Sequence, residues 1–360
     1  MNEELVFPFE RLFDFTKNVF TRCGMNDADA SQAASVLLSA DLRGIDSHGV
    51  ARLSGYIRLY EAKRANFTAK AEIIHQTPAT ATIDAQEGLG LVIAPQAMEI
   101  AIEKAKQCGT GMVAIQNSNH FGIAAYHAML ALEHDMIGIA MTNASPLVAP
   151  THSKERMLGT NPMCYAFPTE NELPVVVDLA TSTAANGKLE IAQRTGKPIP
   201  KGWVIDKNGE DTTNPNALKE GGVLLPLGSG DTQAGHKGFG LSAVVDIFSA
   251  VLSGANYGPW VPPFVAFLNP VENQPGKGIG HFLAAIRIDA FRPANEFKQH
   301  MDHWVKRFKQ AQPIDKNIPI IIPGEPEFEH AAYRKVHGIP LNPAVVDDLQ
   351  KLGAQFGVTL

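Results

Sequence analysis

The chain has 360 residues, of which 45% are hydrophobic and 19% are charged, and its formal net charge is −6. A chain of this length can bury a substantial core and normally divides into two domains. The balance of apolar and charged residues excludes a disordered protein, and the absence of a repeated basic block argues against nucleic-acid binding. An anionic small molecule remains possible, because a few cations within a site can dominate the local field.

The cysteines and the apolar stretches exclude further classes of protein. Cys23, Cys108 and Cys164 are an odd number, stand far apart and form no CxxC pair, so neither a disulfide framework nor a metal site is predicted. Residues 1–8 lack a basic start followed by an apolar run, which argues against a secretory signal. Apolar stretches such as 241–251 are shorter than the roughly 18–20 residues a membrane span needs. We therefore expect a soluble cytoplasmic protein that does not bind a membrane.

The first 65 residues have helical periodicity. Apolar residues from Phe9 to Phe20 predict a first helix, and Asn26 can cap a second helix that stops near Gly44. Asp46 or Ser47 can cap a third helix that continues to Tyr60.

From about residue 80 the pattern changes to alternating strands and helices, with a turn-rich functional or interface loop at 196–230. The predicted strands are 80–84, 111–116, 136–143, 163–167, 174–179 and 282–288, and the predicted helices are 94–108, 123–133, 184–194 and 240–252.

The last 70 residues return to helical patterns, at 294–311, 327–337 and 343–356, with a short predicted strand at 318–322. Helical ends around an α/β middle indicate that both termini build one domain. We predict a helical domain from residues 1–75 and 293–360, beside an α/β domain that covers 76–292.

The segment Asp46-Ser47-His48-Gly49-Val50-Ala51-Arg52 is the most informative for chemistry. If it opens a helix, His48 and Arg52 are four residues apart and share one face. Histidine can exchange a proton near neutral pH, and arginine can hold a carboxylate through two parallel hydrogen bonds. Reduction of a 2-oxo acid needs both functions. A capped surface helix with two solvated side chains explains the same residues.

A second polar cluster, Asn117-Ser118-Asn119-His120-Phe121-Gly122, lies between a predicted strand and a predicted helix. Loops in this position often carry ligand-binding groups, and helix N-termini attract anions. His120 could be another acid–base group or a cofactor contact. A turn with a space-filling histidine is an equally good interpretation.

Three further segments have compositions suited to a bound ligand. Thr160 lies in Gly-Thr-Asn-Pro, and Asp178, Leu179 and Ala180 end an apolar strand, where the Asp178 carboxylate could accept a hydrogen bond from a ribose hydroxyl. Lys237 is flanked by glycines before an apolar helix and could meet a phosphate, although a helix cap and a solvated lysine explain these two segments equally well. Gly324 and Glu325 lie in a rigid Pro-Gly-Glu-Pro turn that could border a nucleotide or merely end a strand. No GxGxxG follows a strand and opens a helix, so periodicity alone does not predict a nicotinamide cofactor.

Taken together, these segments resemble the type 2 malate/L-lactate dehydrogenase family, which includes sulfolactate and ureidoglycolate dehydrogenases and diketogulonate reductase. The resemblance covers nearly the whole chain. It rests on DLRGIDSHGVAR, NSNHFG, LGTNPM, VVVDLATS, GWVIDKNG, GHKGFGL and PGE, which occur in the family's order. It implies a non-Rossmann, largely antiparallel α/β cofactor domain beside a helical domain built from both chain ends, usually in a homodimer.

The resemblance also implies roles for individual residues. His48 is then the proton donor, supported by Ser47, with Arg52 near the substrate and His120 as a second acid–base candidate. Thr160 is implied as a substrate or nicotinamide contact. The implied cofactor-binding residues are His120, Phe121, Gly122, Asp178, Leu179, Ala180, Lys237, Gly324 and Glu325. The implied cofactor is NAD, with NADP possible.

The resulting hypothesis is hydride transfer between NAD(P) and C2 of a small L-2-hydroxy or 2-oxo acid, with malate or lactate favoured. Within the same class, ureidoglycolate oxidation or cyclic-imine reduction is the alternative. From another class, a metal-dependent hydrolase or lyase would use the histidines, but no HxH or HExxH spacing occurs. Residues 151–156 add charge where many members of the family have glycines, which leaves substrate choice open.

Overall fold

The computed structural model describes residues 5–230, 233–266 and 268–360. Its strands are β1 (Leu5–Phe7), β2 (Glu72–Gln76), β3 (Thr80–Asp84), β4 (Thr110–Ser118), β5 (Met136–Thr142), β6 (Met163–Phe167), β7 (Val175–Leu179), β8 (Val204–Ile205), β9 (Asp211–Thr212), β10 (Val223–Leu224), β11 (Ile279–Arg287) and β12 (Ile339–Leu341). Its α-helices are α1 (Phe9–Arg22), α2 (Asp27–Leu42), α3 (Leu53–Glu61), α4 (Gly90–Cys108), α5 (Ala124–Met129), α6 (Asn186–Thr195), α7 (Gly235–Asp246), α8 (Ala294–Lys309), α9 (Glu325–His337) and α10 (Pro343–Phe356).

The central sheet has the strand order β2-β3-β4-β11-β5-β6-β7 in the described residues. Among the strand pairs described for this sheet, β3–β4 is the parallel one, and the others are antiparallel. Strand β11 is central, and its Leu283 lies opposite Val113 of β4 and Ala140 of β5. All but its last two residues are buried, as expected for a strand covered on both faces. This sheet confirms the predicted non-Rossmann, largely antiparallel α/β fold.

Small residues let helices approach one face of the sheet closely. A Cβ on Gly111 of β4 would lie 1.9 Å from the carbonyl oxygen of Ala101 in α4. On β5, a Cβ at Gly138 would lie 1.9 Å from the Ala128 oxygen of α5. Across the other face, α7 continues as a π-helical turn at Ile247–Val251 and packs on β11. The sheet is therefore the middle of three layers.

The two chain ends meet in space. Strand β1 pairs with β12, and Leu5 lies opposite Leu341. Leu12, Leu37 and Leu349 belong to one buried core formed by α1, α2 and α10. Helix α8 instead packs on the sheet edge, through Val305 against Val175. The division into two domains at residues 75 and 293 stays a prediction.

Two predictions about local structure are wrong. The third helix does not start at Asp46, because two short 3₁₀ turns precede it and α3 begins at Leu53. The predicted strand at 318–322 is irregular in the structure. Pro319 removes an N–H that a ladder would need, and the hydrogen bond with β7 forms after this segment, where the Pro323 carbonyl accepts from the Val176 N–H.

Two other predicted elements differ in extent. Helix α7 begins at Gly235 rather than Gly240, which places Lys237 in its first turn. The predicted loop at 196–230 contains β8, β9 and β10, which form a small antiparallel sheet in the order β10-β8-β9. A separate apolar cluster that includes Val148, Leu189 and Val204 supports this small sheet. The turn-rich composition concealed it because each strand is only two residues long.

Within the described ranges, no helix is both long enough and apolar enough to cross a membrane.

Candidate active site

The loop that carries His48 is fixed by close packing against α2. Gly49 is extended, with φ −89° and ψ −146°, and separates the 3₁₀ turn Asp46–His48 from the turn Val50–Arg52. A Cβ at Gly49 would lie 1.9 Å from Oδ1 of Asp41, so only glycine fits here. The N–H of Val50 donates to Oδ2 of Asp41 at 2.8 Å. Asp41 and Gly49 therefore set the path of this loop.

Asp41 is a structural part of the site that the sequence motif contained without revealing its role. It is 1% exposed, and its burial raises the pKa of the carboxyl to about 8. The carboxyl is then largely uncharged at pH 7, which lowers the cost of keeping it inside the protein. Its main-chain oxygen accepts a hydrogen bond from Arg334 of α9, which also pairs with Asp46.

Ser47, His48 and Arg52 are directly connected, although they do not share a helix face. Ser47 Oγ lies 2.9 Å from His48 Nδ1, and Arg52 Nε donates to the Ser47 carbonyl at 2.7 Å. His48 keeps some contact with solvent, yet burial, and after it the positive charge of Arg52, lower its pKa to about 4. A neutral imidazole is ready to accept a proton.

Two sets of nitrogens in this loop have no partner among residues 5–230, 233–266 and 268–360. They are Nε2 of His48 and the terminal guanidinium nitrogens of Arg52. An unpaired guanidinium fork matches the geometry of a carboxylate. The loop can therefore place an acid–base group beside an anchored carboxylate.

His120 comes to the same place from the end of β4. Its ring centroid lies 5.7 Å from that of His48, and the two rings are tilted by 26°. Tyr56 of α3 and Phe264 also pack on it, with the Phe264 centroid 5.1 Å away. Burial is the main reason that the pKa of His120 lies well below its usual value. Sequence reasoning missed Tyr56 and Phe264 as site residues, although Tyr56 is one helical turn beyond Arg52.

The segments around Thr160 and Asp178 are joined to each other. The Thr181 N–H donates to the Thr160 carbonyl at 2.9 Å, and the Thr181 hydroxyl donates to the Asn161 carbonyl at 2.9 Å. Asp178 Oδ2 accepts from the Ala125 N–H of α5 at 2.9 Å. The residue stays exposed, but protein atoms crowd its carboxyl and raise its pKa to about 6. Leu179 and Ala180 beside it are partly exposed.

The chain leads from Asp178 back to the His48 loop. Helix α6 starts eight residues after Asp178, and a Cβ at its Gly187 would lie 3.2 Å from Cβ of Ser47. The start of α6 therefore packs against the loop that carries His48.

The remaining predicted cofactor residues have mixed surroundings. Phe121 is fully buried between the rings of His127 and His281, while Gly122 follows it with φ +79°. Lys237 is exposed in the first turn of α7, next to Gly238, whose Cβ would lie 2.0 Å from the Leu227 oxygen. The main-chain N–H of Leu227 donates a hydrogen bond to the Thr181 carbonyl, and this bond links the start of α7 to the end of β7.

The turn after residue 322 also lies against β7. Gly324 has φ +92°, and a Cβ there would lie 2.9 Å from Cβ of Val176. Glu325 is engaged within the protein, because its carboxylate pairs with Lys309 and accepts from the Ile322 N–H at 3.1 Å. Gly324 thus approaches the strand that carries Asp178, whereas Glu325 stabilises its own turn.

The charged segment at 151–156 is partly accounted for by packing. Arg156 donates from Nη2 to the Gly222 carbonyl at 2.7 Å and also to the Leu218 carbonyl. Burial lowers the pKa of Arg156. This arginine therefore ties the segment to the small sheet.

Two further features concern metal binding and a groove outside this site. No group of three or more His, Cys, Asp or Glu side chains in the part of the chain that the structure describes could hold a metal ion. An open groove of about 880 Å³ lies along α4, lined by Gln76, Glu99 and Lys104 among others, and includes none of the predicted site residues.

A neutral imidazole beside an unpaired guanidinium is the arrangement expected of an enzyme that oxidises or reduces small carboxylic acids. A family model described as malate/L-lactate dehydrogenase matches residues 7–350. The chain therefore belongs to the malate/L-lactate dehydrogenase family, and it is a hydroxy-acid dehydrogenase.

Individual relatives are similar over nearly their whole length. The malate dehydrogenase of Pyrococcus horikoshii is 42% identical over 352 residues, with 98% of this chain and 95% of that protein covered. The L-sulfolactate dehydrogenase of Methanocaldococcus jannaschii is 37% identical, and 95% of each chain is covered. The crystal structure of malate dehydrogenase from Entamoeba histolytica matches with a TM-score of 0.92 at 33% identity, covering 99% of both chains.

Proposed function

We propose that the enzyme oxidises an L-2-hydroxy acid to the 2-oxo acid reversibly, with malate as the favoured substrate, lactate next, and NAD as the favoured cofactor. The observation that carries the proposal is the Ser47–His48–Arg52 arrangement, which leaves an imidazole nitrogen and a guanidinium fork unpaired side by side. The relatives named malate dehydrogenase support malate. The relative named L-sulfolactate dehydrogenase makes sulfolactate a further candidate substrate.

In this mechanism Arg52 binds the C1 carboxylate through its terminal nitrogens, and its Nε stays on the Ser47 carbonyl. Ser47 Oγ accepts a hydrogen from Nδ1 of His48, so that Nε2 presents its lone pair to the substrate hydroxyl. During oxidation His48 takes the hydroxyl proton, and during reduction it returns that proton to the carbonyl oxygen. Because Arg52 and His48 hold both reacting groups of the substrate in place, the entropy of orienting the reactants is lost on binding and does not add to the barrier of the reaction.

The residues near β7 fit a nicotinamide dinucleotide, which supplies or accepts the hydride at C2. Asp178 has one carboxylate oxygen without a partner among the described residues, which suits a ribose hydroxyl. Lys237 is an exposed cation at a helix start, which suits a phosphate. The Thr160 carbonyl is joined to this region by the hydrogen bond that it accepts from the Thr181 N–H. We place the cofactor along these residues, and the acidic Asp178 favours NAD, because a 2′-phosphate would be repelled.

A spectrophotometric panel tests the substrate and cofactor. We expect oxaloacetate with NADH to give the highest kcat/KM when NADH and NADPH are crossed with oxaloacetate, pyruvate, sulfopyruvate, a cyclic imine and 2,3-diketogulonate. Ureidoglycolate is tested in the oxidative direction with NAD and NADP. Mixtures without substrate are the control. Activity with the cyclic imine or ureidoglycolate, and none with any 2-oxo acid of the panel, would instead support the alternative within the family.

We further propose a cytoplasmic homodimer formed through the α7 face, defined as Leu241, Val244, Ile247, Phe248, Val251 and Leu252. These residues follow helical spacing and are between 37% and 58% exposed, which makes a continuous apolar stripe. Such stripes commonly mark protein–protein contacts. The three free cysteines support a reducing compartment.

The dimer proposal predicts the effect of charge in that stripe. The double variant Ile247→Glu/Val251→Glu should have half the wild-type mass in light scattering, because two carboxylates would be buried without partners. Ile314→Glu is the control, since Ile314 is fully exposed outside the α7 face. A monomeric wild type, or a dimeric double variant, would contradict the proposal.

A further inference from the structure

The hydrogen bonds of His120 define which of its nitrogens carries a hydrogen. The main-chain N–H of Gly122 approaches His120 Nδ1 with a nitrogen–nitrogen distance of 3.2 Å. A main-chain N–H can only donate, so Nδ1 must present its lone pair. The neutral ring then carries its hydrogen on Nε2.

Tyr56 makes a second contact with the same nitrogen. Its hydroxyl oxygen lies 2.6 Å from His120 Nδ1, and because Nδ1 is an acceptor, Tyr56 is the donor. Tyr56 is fully buried, and burial raises the pKa of its hydroxyl, so it keeps its proton. Its ring packs edge-on against Phe264, with centroids 5.1 Å apart, which limits its movement.

The groups that surround His120 oppose a positive charge. After burial, the contributors that lower its pKa are His48 and Arg52 from the 46–52 loop, His281 from β11 and His127 from α5. His127 and His281 each point Nε2 at a carbonyl oxygen, of Phe121 and Asn119 respectively, so both donate there as neutral rings. No described carboxylate contributes to the pKa of His120. His120 therefore remains neutral while Nδ1 stays occupied.

We propose that Tyr56 is a positioning residue that locks His120 in the tautomer with its hydrogen on Nε2, so that His120 is a fixed hydrogen-bond donor to the substrate oxygen. This inference rests on the proposed function for its substrate. His48 is then the one of the two stacked histidines that changes its protonation state. During oxidation the hydroxyl proton passes to Nε2 of His48, and the hydrogen on His120 Nε2 stays in place. The two histidines thus have different roles in spite of their stacked rings.

The tautomer can be measured on the enzyme without any substrate. We expect ¹⁵N NMR of histidine-labelled protein to show an unprotonated Nδ1 and a protonated Nε2 for His120, assigned by the loss of these signals in His120→Gln. Because no ligand is present, the result does not depend on the proposed function. A hydrogen on Nδ1 of His120 in the wild type would overturn the inference.

The role of Tyr56 is tested by Tyr56→Phe, which keeps the ring and removes the donor. We expect kcat to fall about two- to tenfold, the usual range for one hydrogen bond, and the acid limb of kcat/KM to move to higher pH. The limb moves because Nδ1, freed of one donor, is protonated more readily. In the NMR spectrum, the His120 signals should show a mixture of tautomers.

Tyr60→Phe is the matched control, because Tyr60 lies one turn further along α3 and its hydroxyl has no hydrogen bond among the described residues. It should match the wild type in kcat, acid limb and tautomer. If Tyr56→Phe equals Tyr60→Phe in all three measurements, Tyr56 does not position His120. A wild type with the expected tautomer but no dehydrogenase activity would contradict the proposed function alone.

Discussion

His48→Ala is expected to lower kcat by roughly two to four orders of magnitude, the range for loss of a positioned acid–base group. The neighbouring groups cannot take over its role. Ser47 contacts only the far nitrogen of the ring, and the hydrogen bonds of His120 Nδ1 oppose its protonation. Substrate binding through Arg52 should remain, so KM should change much less than kcat. Steady-state kinetics in both directions measure the two parameters separately.

The control and the pH dependence make this result specific. His75→Ala removes an exposed histidine of β2 and should keep wild-type kinetics. With the pKa of His48 lowered to about 4, its neutral form dominates above that pH. The kcat/KM for oxidation should therefore be constant down to about pH 5, whereas that for reduction should fall as pH rises. Near-normal turnover of His48→Ala would show that another group moves the proton.

Most strands of the sheet could be predicted because the sequence pattern that indicates each strand lies within the strand itself. Strands β3 and β6 occur at the predicted residues, since short apolar runs between turn residues predict buried strands well. Strand β2 was missed because every residue in it is exposed, so it has no buried face to produce alternation. The strand predicted at 318–322 was wrong for the opposite reason. Its residues are apolar, but the prolines among and after them cannot donate the N–H that a ladder needs.

The site was less predictable because it depends on contacts between distant segments. The residues His48, Arg52 and His120 were found through their motifs, but helical periodicity across Gly49 gave the wrong local geometry. The packing of Asp41 against Gly49 interrupts that helix, and no local pattern encodes it. Tyr56 donates to a histidine 64 residues further along the chain. Its position on the apolar side of α3 predicts only burial, so its polar contact could not be anticipated.

Arg52→Lys is expected to raise KM for the 2-oxo acid about ten- to a hundredfold with a smaller change in kcat. Lysine keeps the positive charge, but its single ammonium nitrogen cannot present two parallel N–H groups to a carboxylate, so the bidentate pair of charge-assisted hydrogen bonds is lost. It also lacks the Nε that holds the Ser47 carbonyl at 2.7 Å, so a modest fall in kcat should accompany the loss of binding.

Arg58→Lys is the control, because Arg58 is exposed on α3 and no ion pair involves it among the described residues. If Arg52→Lys and Arg58→Lys have the same KM, Arg52 does not bind the carboxylate. If instead Arg52→Lys loses kcat at unchanged KM, the guanidinium acts mainly by holding Ser47 and His48 in place.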